Sequence, residues 1–252
     1  MSVTAPQTMS LVSHDQNLTP KQKTEDLMLE LIENFGKDEV EEAVKYLHYR
    51  NPTPLPKNEK KGKPILYVFR HGETSDNFNM LFSGWRDVNI TEKGKKQALA
   101  LANKLAKKDI DMLICSDQIR SIETMKLAMS KNTKGKNLEI IKEPRIKERR
   151  YGDWEGQSKL KMLLTHPESK EQRRDFDFVP PNGESMAMVE GRVLAFLREI
   201  LPLMRKHNVN VALSCHGNSI RAIRKKYEGL TNEQAAHIET ILGEDYAAYY
   251  VG

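Results

Sequence analysis

The sequence has few cysteines and no long apolar run. Its 252 residues include two cysteines, Cys115 and Cys215, and each of them ends an apolar stretch. We therefore expect two buried thiols and no disulfide, as in a protein of a reducing compartment. No apolar run reaches the roughly 18 residues of a membrane span, and the N terminus lacks the apolar core of a signal peptide. These absences predict a soluble, cytoplasmic protein without a membrane partner.

Neither sign of charge dominates the chain. Lysine and arginine together number 40, aspartate and glutamate number 35, and the formal net charge is +5. Because the two signs are interleaved, the composition favours a small anionic ligand over the basic groove of a nucleic-acid-binding protein. With 38% hydrophobic residues, the chain is long enough for one sizeable α/β domain and an appendage.

The first 63 residues differ in composition from the rest. Residues 1–18 are polar and lack apolar periodicity, which predicts a flexible tail. Apolar residues at helical spacing, interrupted at Gly36, predict a helical hairpin extension over residues 19–50. This hairpin either packs on the main domain or forms an interface with another chain, and no residue separates these alternatives. Prolines and lysines in residues 51–63 predict a stiff, basic linker, which leaves residues 64–252 for the catalytic domain.

Two apolar stretches of the sequence each end in a His-Gly pair. Residues 65–69 are followed by Arg70 and His71, and residues 211–215 are followed by His216. Because the carboxyl ends of parallel strands meet at one edge of a sheet, we expect both imidazoles at that edge. A guanidinium can hold two phosphoryl oxygens while an imidazole attacks the phosphorus. A single histidine at a strand end is more often a structural group, so each motif alone leaves both interpretations open.

With these two motifs the sequence resembles the histidine phosphatase superfamily, and within it the cofactor-dependent phosphoglycerate mutases. The resemblance extends from about residue 64 to the C terminus. It implies an α/β fold, a three-layer αβα sandwich with a mainly parallel sheet and an active site at the carboxyl edge of the strands. It also implies a histidine that becomes phosphohistidine, cationic groups that neutralise phosphoryl oxygens, and a glutamate that shuttles a proton. The residues that match these catalytic roles are, in that order, His71, then Arg70, Arg120 and His216, and then Glu148.

The resemblance also implies a binding site for a small phosphorylated substrate. Hydroxyl, amide, backbone N–H and basic groups are all suited to contact phosphate and carboxylate oxygens. The matching residues are Thr74, Asn77, Ser83, Gly84, Tyr151, Lys159, Arg173, Arg174, Gly217 and Asn218. The implied cofactor is 2,3-bisphosphoglycerate, which primes the nucleophile, and no metal is expected because arginines and a histidine supply the positive charge. The resemblance is compatible with a homodimer.

Some residues bear on the choice between a mutase and a phosphatase. Mutases usually have tryptophan where this chain has Asp76 and histidine where it has Arg150, and the stretch 181–185 is shorter than their insertion. The basic pair Arg173 and Arg174 instead matches the mutases, which must hold a highly anionic bisphosphate away from water. We therefore expect a phosphoglycerate mutase of glycolysis and gluconeogenesis that interconverts 3-phosphoglycerate and 2-phosphoglycerate. A phosphatase that hydrolyses a small phosphomonoester is the alternative, and a non-catalytic interaction scaffold is a third hypothesis.

Three further expectations concern charge. Basic residues flank Glu148 and favour its ionised form, so burial must offset them if this glutamate is to act as an acid near neutral pH. Asp76 would repel a phosphate ligand unless its carboxylate turns away from the site. A second group of basic residues is expected to form a solvated helix face, and it comprises Arg221, Arg224, Lys225 and Lys226.

Overall fold

The computed structural model describes residues 20–48, 51–62 and 64–252. The predicted tail at residues 1–18 therefore lies outside the described residues. The same holds for Thr19, Tyr49 and Arg50 of the predicted hairpin and for Lys63 of the linker. The chain divides into two compact units, and the boundary between them follows Glu42.

Two helices precede the main domain. They are α1 (Pro20–Phe35) and α2 (Lys37–His48), and Gly36 between them has a φ angle of +85° that favours glycine. The helices therefore break at the position that the sequence predicts. The last residues of α2, from Ala43 onward, belong to the second compact unit. The division of the chain at residues 50 and 63 stays a prediction.

The second unit is built around a five-stranded sheet. Its strands are β1 (Ile65–Arg70), β2 (Met112–Cys115), β3 (Ile140–Lys142), β4 (Val211–Cys215) and β5 (Tyr246–Tyr250). Their order is β3-β2-β4-β1-β5, and the first four strands are parallel while β5 pairs antiparallel with β1. Strand β3 is short and begins at Ile140, after a 3₁₀ turn at Gly135–Asn137. The mainly parallel sheet is confirmed.

Eight further helices follow within the described part of the second unit. They are α3 (Ser75–Phe78), α4 (Glu92–Leu105), α5 (Ile119–Met129), α6 (Lys159–Thr165), α7 (Ser169–Gln172), α8 (Met186–His207), α9 (Gly217–Glu228) and α10 (Asn232–His237). Additional 3₁₀ turns occur at Pro144–Ile146 and Gly152–Trp154. Across the described ranges, no helix combines the length and apolar character needed to span a bilayer.

The sheet divides the core into two layers, as its internal strand β1 shows. Its residues Leu66 and Val68 pack with apolar residues of α8 and α9 on one face of the sheet. Its residues Ile65, Tyr67 and Phe69 pack with α4 and α5 on the other face. Because neighbouring strand residues point to opposite faces, this alternation places helices on both sides of the sheet. The predicted three-layer αβα sandwich is confirmed.

The two cysteines are buried and free. Cys115 packs in the layer of α4 and α5, and Cys215 packs in the layer of α8 and α9. Burial raises the pKa of the Cys115 thiol to about 12. Both side chains therefore serve as small apolar residues of the core.

The backbone after β1 is held tightly between two helices. A Cβ atom at Gly72 would lie 2.5 Å from the carbonyl oxygen of Gly94 in α4, which is closer than such atoms approach. The Gly72 backbone N–H donates a hydrogen bond of 2.9 Å to Oγ1 of Thr124 in α5. These contacts fix the chain next to His71 and leave no room for a side chain at position 72.

Candidate active site

A cavity of about 510 Å³ lies at the carboxyl ends of β1 and β4. His71 follows β1 directly, and His216 lies between β4 and α9 as the N-cap residue of this helix. Their imidazole rings are 5.1 Å apart, centre to centre, with 52° between the ring planes. The parallel pairing of β1 and β4 therefore brings together the two histidines that the sequence separates by more than a hundred residues.

The His71 ring has a defined orientation. Its Nδ1 lies 2.7 Å from the carbonyl oxygen of Gly72, and a carbonyl oxygen can only accept a hydrogen bond. Nδ1 therefore carries the proton of the neutral ring, and Nε2 keeps the lone pair that a nucleophile needs. Burial, followed by the charges of Arg120 and Arg70, lowers the pKa of His71 well below its usual value. The ring is thus held in its neutral, nucleophilic form.

We expect the His71 ring to remain neutral at pH 6, where an ordinary histidine is mostly protonated. Burial and two guanidinium groups both oppose the second proton. Two-dimensional ¹⁵N NMR of the histidine rings should show a protonated Nδ1 and an unprotonated Nε2 for His71 at this pH. The spectrum of a His71→Asn variant identifies the signal. A doubly protonated His71 ring at pH 6 would contradict the expected neutrality, and a neutral ring with its proton on Nε2 would contradict the proposed orientation.

His216 is fully buried and has one ring nitrogen engaged. Its Nε2 lies 2.6 Å from Oγ of Ser116, the first residue after β2. Its Nδ1 is buried without a hydrogen-bond partner among the described residues. A buried polar atom of this kind is costly unless a ligand satisfies it. Burial and the charge of Arg120 lower the pKa of His216 well below its usual value, so the neutral ring can offer one N–H to a phosphoryl oxygen.

Two arginines supply positive charge beside the histidines. The guanidinium of Arg120, in the first turn of α5, donates hydrogen bonds to the carbonyl oxygens of Arg86 at 2.8 Å and Gly84 at 2.9 Å. The guanidinium of Arg70 donates to the carbonyl oxygen of Thr240 at 3.0 Å. Carbonyl groups orient a guanidinium without cancelling its full charge. This inner half of the cavity, around His71, Arg70 and Arg120, is therefore suited to bind a phosphoryl group.

Glu148 lies against the first turn of α9. Its carboxylate accepts hydrogen bonds from the backbone N–H groups of Arg149, Gly217 and Asn218 and from the Asn218 side chain, at 2.8 to 3.1 Å. Burial raises the pKa of Glu148, but the Arg149 N–H, the charge of Arg70 and the Asn218 amide together lower it below its usual value. Burial thus does not offset the groups that favour ionisation. Without a ligand, Glu148 is a carboxylate and is prepared to accept a proton.

Most of the predicted substrate-binding residues line this cavity. They are Asn77, Ser83, Gly84, Tyr151, Lys159, Arg173, Arg174, Gly217 and Asn218. Thr74 is placed differently, because it is fully buried and its hydroxyl accepts a hydrogen bond from the Asn77 backbone N–H at the start of α3. Thr74 thereby orients the loop that carries Asn77, and a direct contact between Thr74 and the substrate stays a prediction.

The solvated helix face predicted on α9 is wrong for three of its four residues, and only Lys226 is exposed. Arg221 lines the cavity, and its Nη1 donates to Oδ1 of Asn218 at 3.0 Å. Arg224 is 2% exposed and forms an ion pair with Glu228 at 2.8 Å. Lys225 is partly buried and forms an ion pair with a glutamate of α8. The helical spacing of Arg221 from Gly217 and Asn218 would have placed it on the site face, because residues three and four apart share one face of a helix.

Other cavity residues carried no signal in the sequence. Glu239 and Thr240 follow α10, and they line the cavity together with Tyr46, Leu47 and Asn51. The last three come from the end of α2 and from the segment assigned to the linker. The Nζ atom of a lysine, Lys170, lies 4.6 Å from the centre of the Tyr46 ring. The end of α2 therefore contributes to the wall of this cavity.

Asp76 does not oppose an anionic ligand. Its side chain is buried and outside the cavity lining, and its Oδ2 accepts a hydrogen bond of 3.2 Å from Nε of Arg86. The carboxylate is turned away from the cavity, which is the condition under which it would not repel a phosphate ligand. The guanidinium of Arg86 balances its charge.

Comparisons with known proteins agree with this geometry. The family model described as histidine phosphatase superfamily (branch 1) matches residues 66–250. A 2,3-bisphosphoglycerate-dependent phosphoglycerate mutase of Bartonella henselae is 35% identical over 184 residues, which cover 71% of this chain and 88% of the relative. The protein of the same name in Protochlamydia amoebophila is 30% identical over 206 residues, 71% of this chain and 91% of the relative.

Two solved structures with the same fold are described as phosphatases. The α-ribazole phosphatase from Shigella flexneri superposes with a TM-score of 0.62 at 26% identity, covering 73% of this chain and 89% of the other. A putative α-ribazole-5′-P phosphatase from Escherichia coli has a TM-score of 0.64 at 24% identity, with 74% and 89% coverage. This second likeness concerns the fold alone.

Proposed function

Because the chain belongs to the histidine phosphatase superfamily, we propose that it is a 2,3-bisphosphoglycerate-dependent phosphoglycerate mutase. It interconverts 3-phosphoglycerate and 2-phosphoglycerate, a step of glycolysis and gluconeogenesis in the cytoplasm. The relatives of this name that cover 71% of the chain support the proposal. The arrangement of charge in the cavity supports it independently.

The observation that carries the proposal is a second group of cationic side chains. Beyond the inner half lies an outer half of the cavity, which we define by Lys159, Arg173, Arg174, Arg221 and Glu239. A phosphatase for a simple monoester needs only one anion site, whereas a mutase must hold a molecule with several anionic groups. Four basic side chains in the outer half are suited to the carboxylate and second phosphate of such a molecule.

The residues of the inner half fit a phosphoryl group supplied by 2,3-bisphosphoglycerate. Nε2 of His71 attacks the phosphorus, and Arg70, Arg120 and His216 stabilise the charge on the phosphoryl oxygens. The unpartnered, buried Nε of Arg120 and Nδ1 of His216 fit such oxygens. Since little covalent chemistry is left for the protein, positioning and electrostatic stabilisation account for most of the catalysis.

Glu148 then moves the proton. As a carboxylate, it accepts the proton of the substrate hydroxyl that attacks phosphohistidine, and it returns a proton to the leaving oxygen when His71 is phosphorylated again. Its low pKa in the absence of ligand suits the first of these steps. The anionic phosphoryl group beside Glu148 raises its pKa and so lets Glu148 hold the accepted proton until the second step.

A phosphatase acting on a small phosphomonoester is the second candidate. The segment 181–185 is a tight turn, in which Asn182 has a φ angle of +58° and the Gly183 N–H donates to the carbonyl oxygen of Pro180 at 2.8 Å. A segment this short covers the site less than the longer insertion of mutases does. Water therefore has more access to phosphohistidine. The likeness to the α-ribazole phosphatase from Shigella flexneri is compatible with this activity.

The deciding experiment offers the pure protein 3-phosphoglycerate, with and without a trace of 2,3-bisphosphoglycerate, and follows 2-phosphoglycerate and free phosphate together. We expect 2-phosphoglycerate to form much faster than phosphate and to require the trace of bisphosphate. Formation of phosphate alone would reject the mutase and favour the phosphatase. The absence of both products would reject 3-phosphoglycerate as the substrate.

A further inference from the structure

The segment Ala236–Thr240, at the end of α10 and just after it, holds three arginines of the cavity. Its backbone carbonyl groups accept hydrogen bonds from guanidinium groups that belong to three different parts of the chain. The pairs are Arg174 with Ala236 at 2.9 Å, Arg221 with Ile238 at 3.0 Å, and Arg70 with Thr240 at 3.0 Å. One short segment thus orients guanidinium groups in both halves of the cavity.

Glu239 lies within this segment and adds a full negative charge to the outer half. Its carboxylate accepts a hydrogen bond from Nη2 of Arg174, and Oε1 lies 3.6 Å from Nη2 of Arg221. The side chain is 19% exposed and lines the cavity. Burial raises the pKa of Glu239, but the charges of Arg221 and Arg174 outweigh burial and lower it to about 2. Glu239 is therefore ionised near neutral pH.

The two halves of the cavity differ in how their arginines are held. In the inner half, Arg120 is bound by carbonyl groups that leave its charge available. In the outer half, Arg174 and Arg221 share the carboxylate of Glu239. A substrate anion that reaches these two guanidinium groups must compete with a carboxylate that is already there. The outer half therefore attracts a second anionic group less than its four basic side chains would on their own.

We propose that Glu239 is a specificity-determining residue, a counter-ion built into the outer half that limits how much negative charge this half accepts. The inference rests on the proposed function, in which the outer half receives a second anionic group of the substrate. Removing the charge of Glu239 should tighten binding in proportion to the charge of that second group. A carboxylate that only supports the fold would not produce such a graded effect.

Three ligands with a common phosphate group test this proportionality. Glycerol 3-phosphate has no second anionic group, 3-phosphoglycerate adds a carboxylate, and 2,3-bisphosphoglycerate adds a carboxylate and a second phosphate. Their dissociation constants are measured by calorimetry on the full chain with His71→Asn, so that no phosphoryl group is transferred. Glu239→Gln removes the charge at nearly constant shape. Glu239→Asp and Glu239→Asn form a second matched pair, which differs in charge but shares the shorter side chain.

Glu239→Gln should leave glycerol 3-phosphate binding within about twofold. Since one unit charge acting across a partly solvated cavity corresponds to roughly fivefold in affinity, 3-phosphoglycerate should bind roughly fivefold more tightly and 2,3-bisphosphoglycerate at least about twentyfold more tightly. Glu239→Asn should show the same gradation relative to Glu239→Asp. Glu190→Gln, which removes a carboxylate outside the cavity lining, should change none of the three affinities by more than about twofold.

Equal or weaker binding of the two more anionic ligands to both neutral variants would overturn the proposal. If neither neutral variant folds, as judged by circular dichroism, the ion pairs of Glu239 are structural and the proposal is also rejected. Because the experiment measures binding and not turnover, it remains decisive if the protein proves to be a phosphatase. Absence of mutase activity would reject the proposed function, and absence of the graded affinities would reject the role of Glu239. The two results are thus distinguishable.

Discussion

Replacing His71 with asparagine is expected to reduce phosphoryl transfer from 2,3-bisphosphoglycerate by at least about 10⁴-fold. The neighbouring imidazole of His216 cannot take its place, because Oγ of Ser116 engages its Nε2 and its Nδ1 carries the proton. Asparagine keeps an amide that can bond to the Gly72 carbonyl group as Nδ1 of His71 does, at 2.7 Å. The fold and the binding of phosphate should therefore change little. The steady-state rate of 2-phosphoglycerate formation measures the loss of phosphoryl transfer. Thermal unfolding tests whether the fold is unchanged.

The same substitution tests where the phosphoryl group is held. After a brief reaction with ³²P-labelled 2,3-bisphosphoglycerate, the unsubstituted protein should carry one acid-labile, base-stable label, bonded to Nε2 because Nδ1 is protonated. His71→Asn should carry none. His207→Asn, which alters an exposed histidine at the end of α8, should be labelled normally. Labelling of the His71→Asn protein, or label on Nδ1, would contradict the assignment.

The meeting of the two histidines could be predicted from the sequence because it depends on local patterns. The apolar runs before His71 and His216 are long enough to form buried strands, and parallel strands deliver their carboxyl ends to one edge. The order of the strands then determines that β1 and β4 are neighbours. The sequence thus predicts that the two histidines share an edge of the sheet, while the structure adds that their strands are direct neighbours.

The contribution of the segment Ala236–Thr240 could not be predicted in this way. Three of its contacts use backbone carbonyl groups, which every residue has, so the residue types around Ile238 carry no signature of the arginines they hold. Glu239 differs only in being an acid among many in the chain. Its partners Arg174 and Arg221 belong to other elements of the chain, and only the fold brings them to one place.

The ionisation of Glu148 was predicted correctly in direction but not in its physical causes. The basic residues beside it in the sequence predicted that its charged form would be favoured, and the direction of the pKa shift agrees. The causes are largely different, since they include the neighbouring Arg149 backbone N–H and the Asn218 amide, which lies some seventy residues away. A hydrogen bond to a carboxylate depends on position to within a fraction of an ångström, which sequence spacing does not specify.

Glu148→Gln is expected to separate the two half-reactions of the enzyme. Loss of proton transfer should lower the rate of 2-phosphoglycerate formation by about 1,000-fold, or about 4 kcal/mol. With p-nitrophenyl phosphate the leaving group is a weak base and needs no proton. Rapid-mixing experiments should therefore show a burst of one p-nitrophenol per active site at a rate within about tenfold of the unsubstituted protein.

The burst should be followed by very slow turnover, because water or an alcohol can attack phosphohistidine efficiently only if a base removes its proton. The glutamine retains one carbonyl oxygen, which can replace Oε1 as the acceptor of the Asn218 N–H, a bond of 3.1 Å in the unsubstituted protein. Its NH₂ group cannot accept the Gly217 N–H that now bonds to Oε2 at 3.0 Å, so we expect α9 to lose one hydrogen bond at its first turn. Glu143→Gln, which removes another hydrogen-bonded carboxylate outside the cavity lining, should leave both phases unchanged. A missing burst would instead show that Glu148 positions the phosphoryl group, and a normal second phase would show that another group moves the proton.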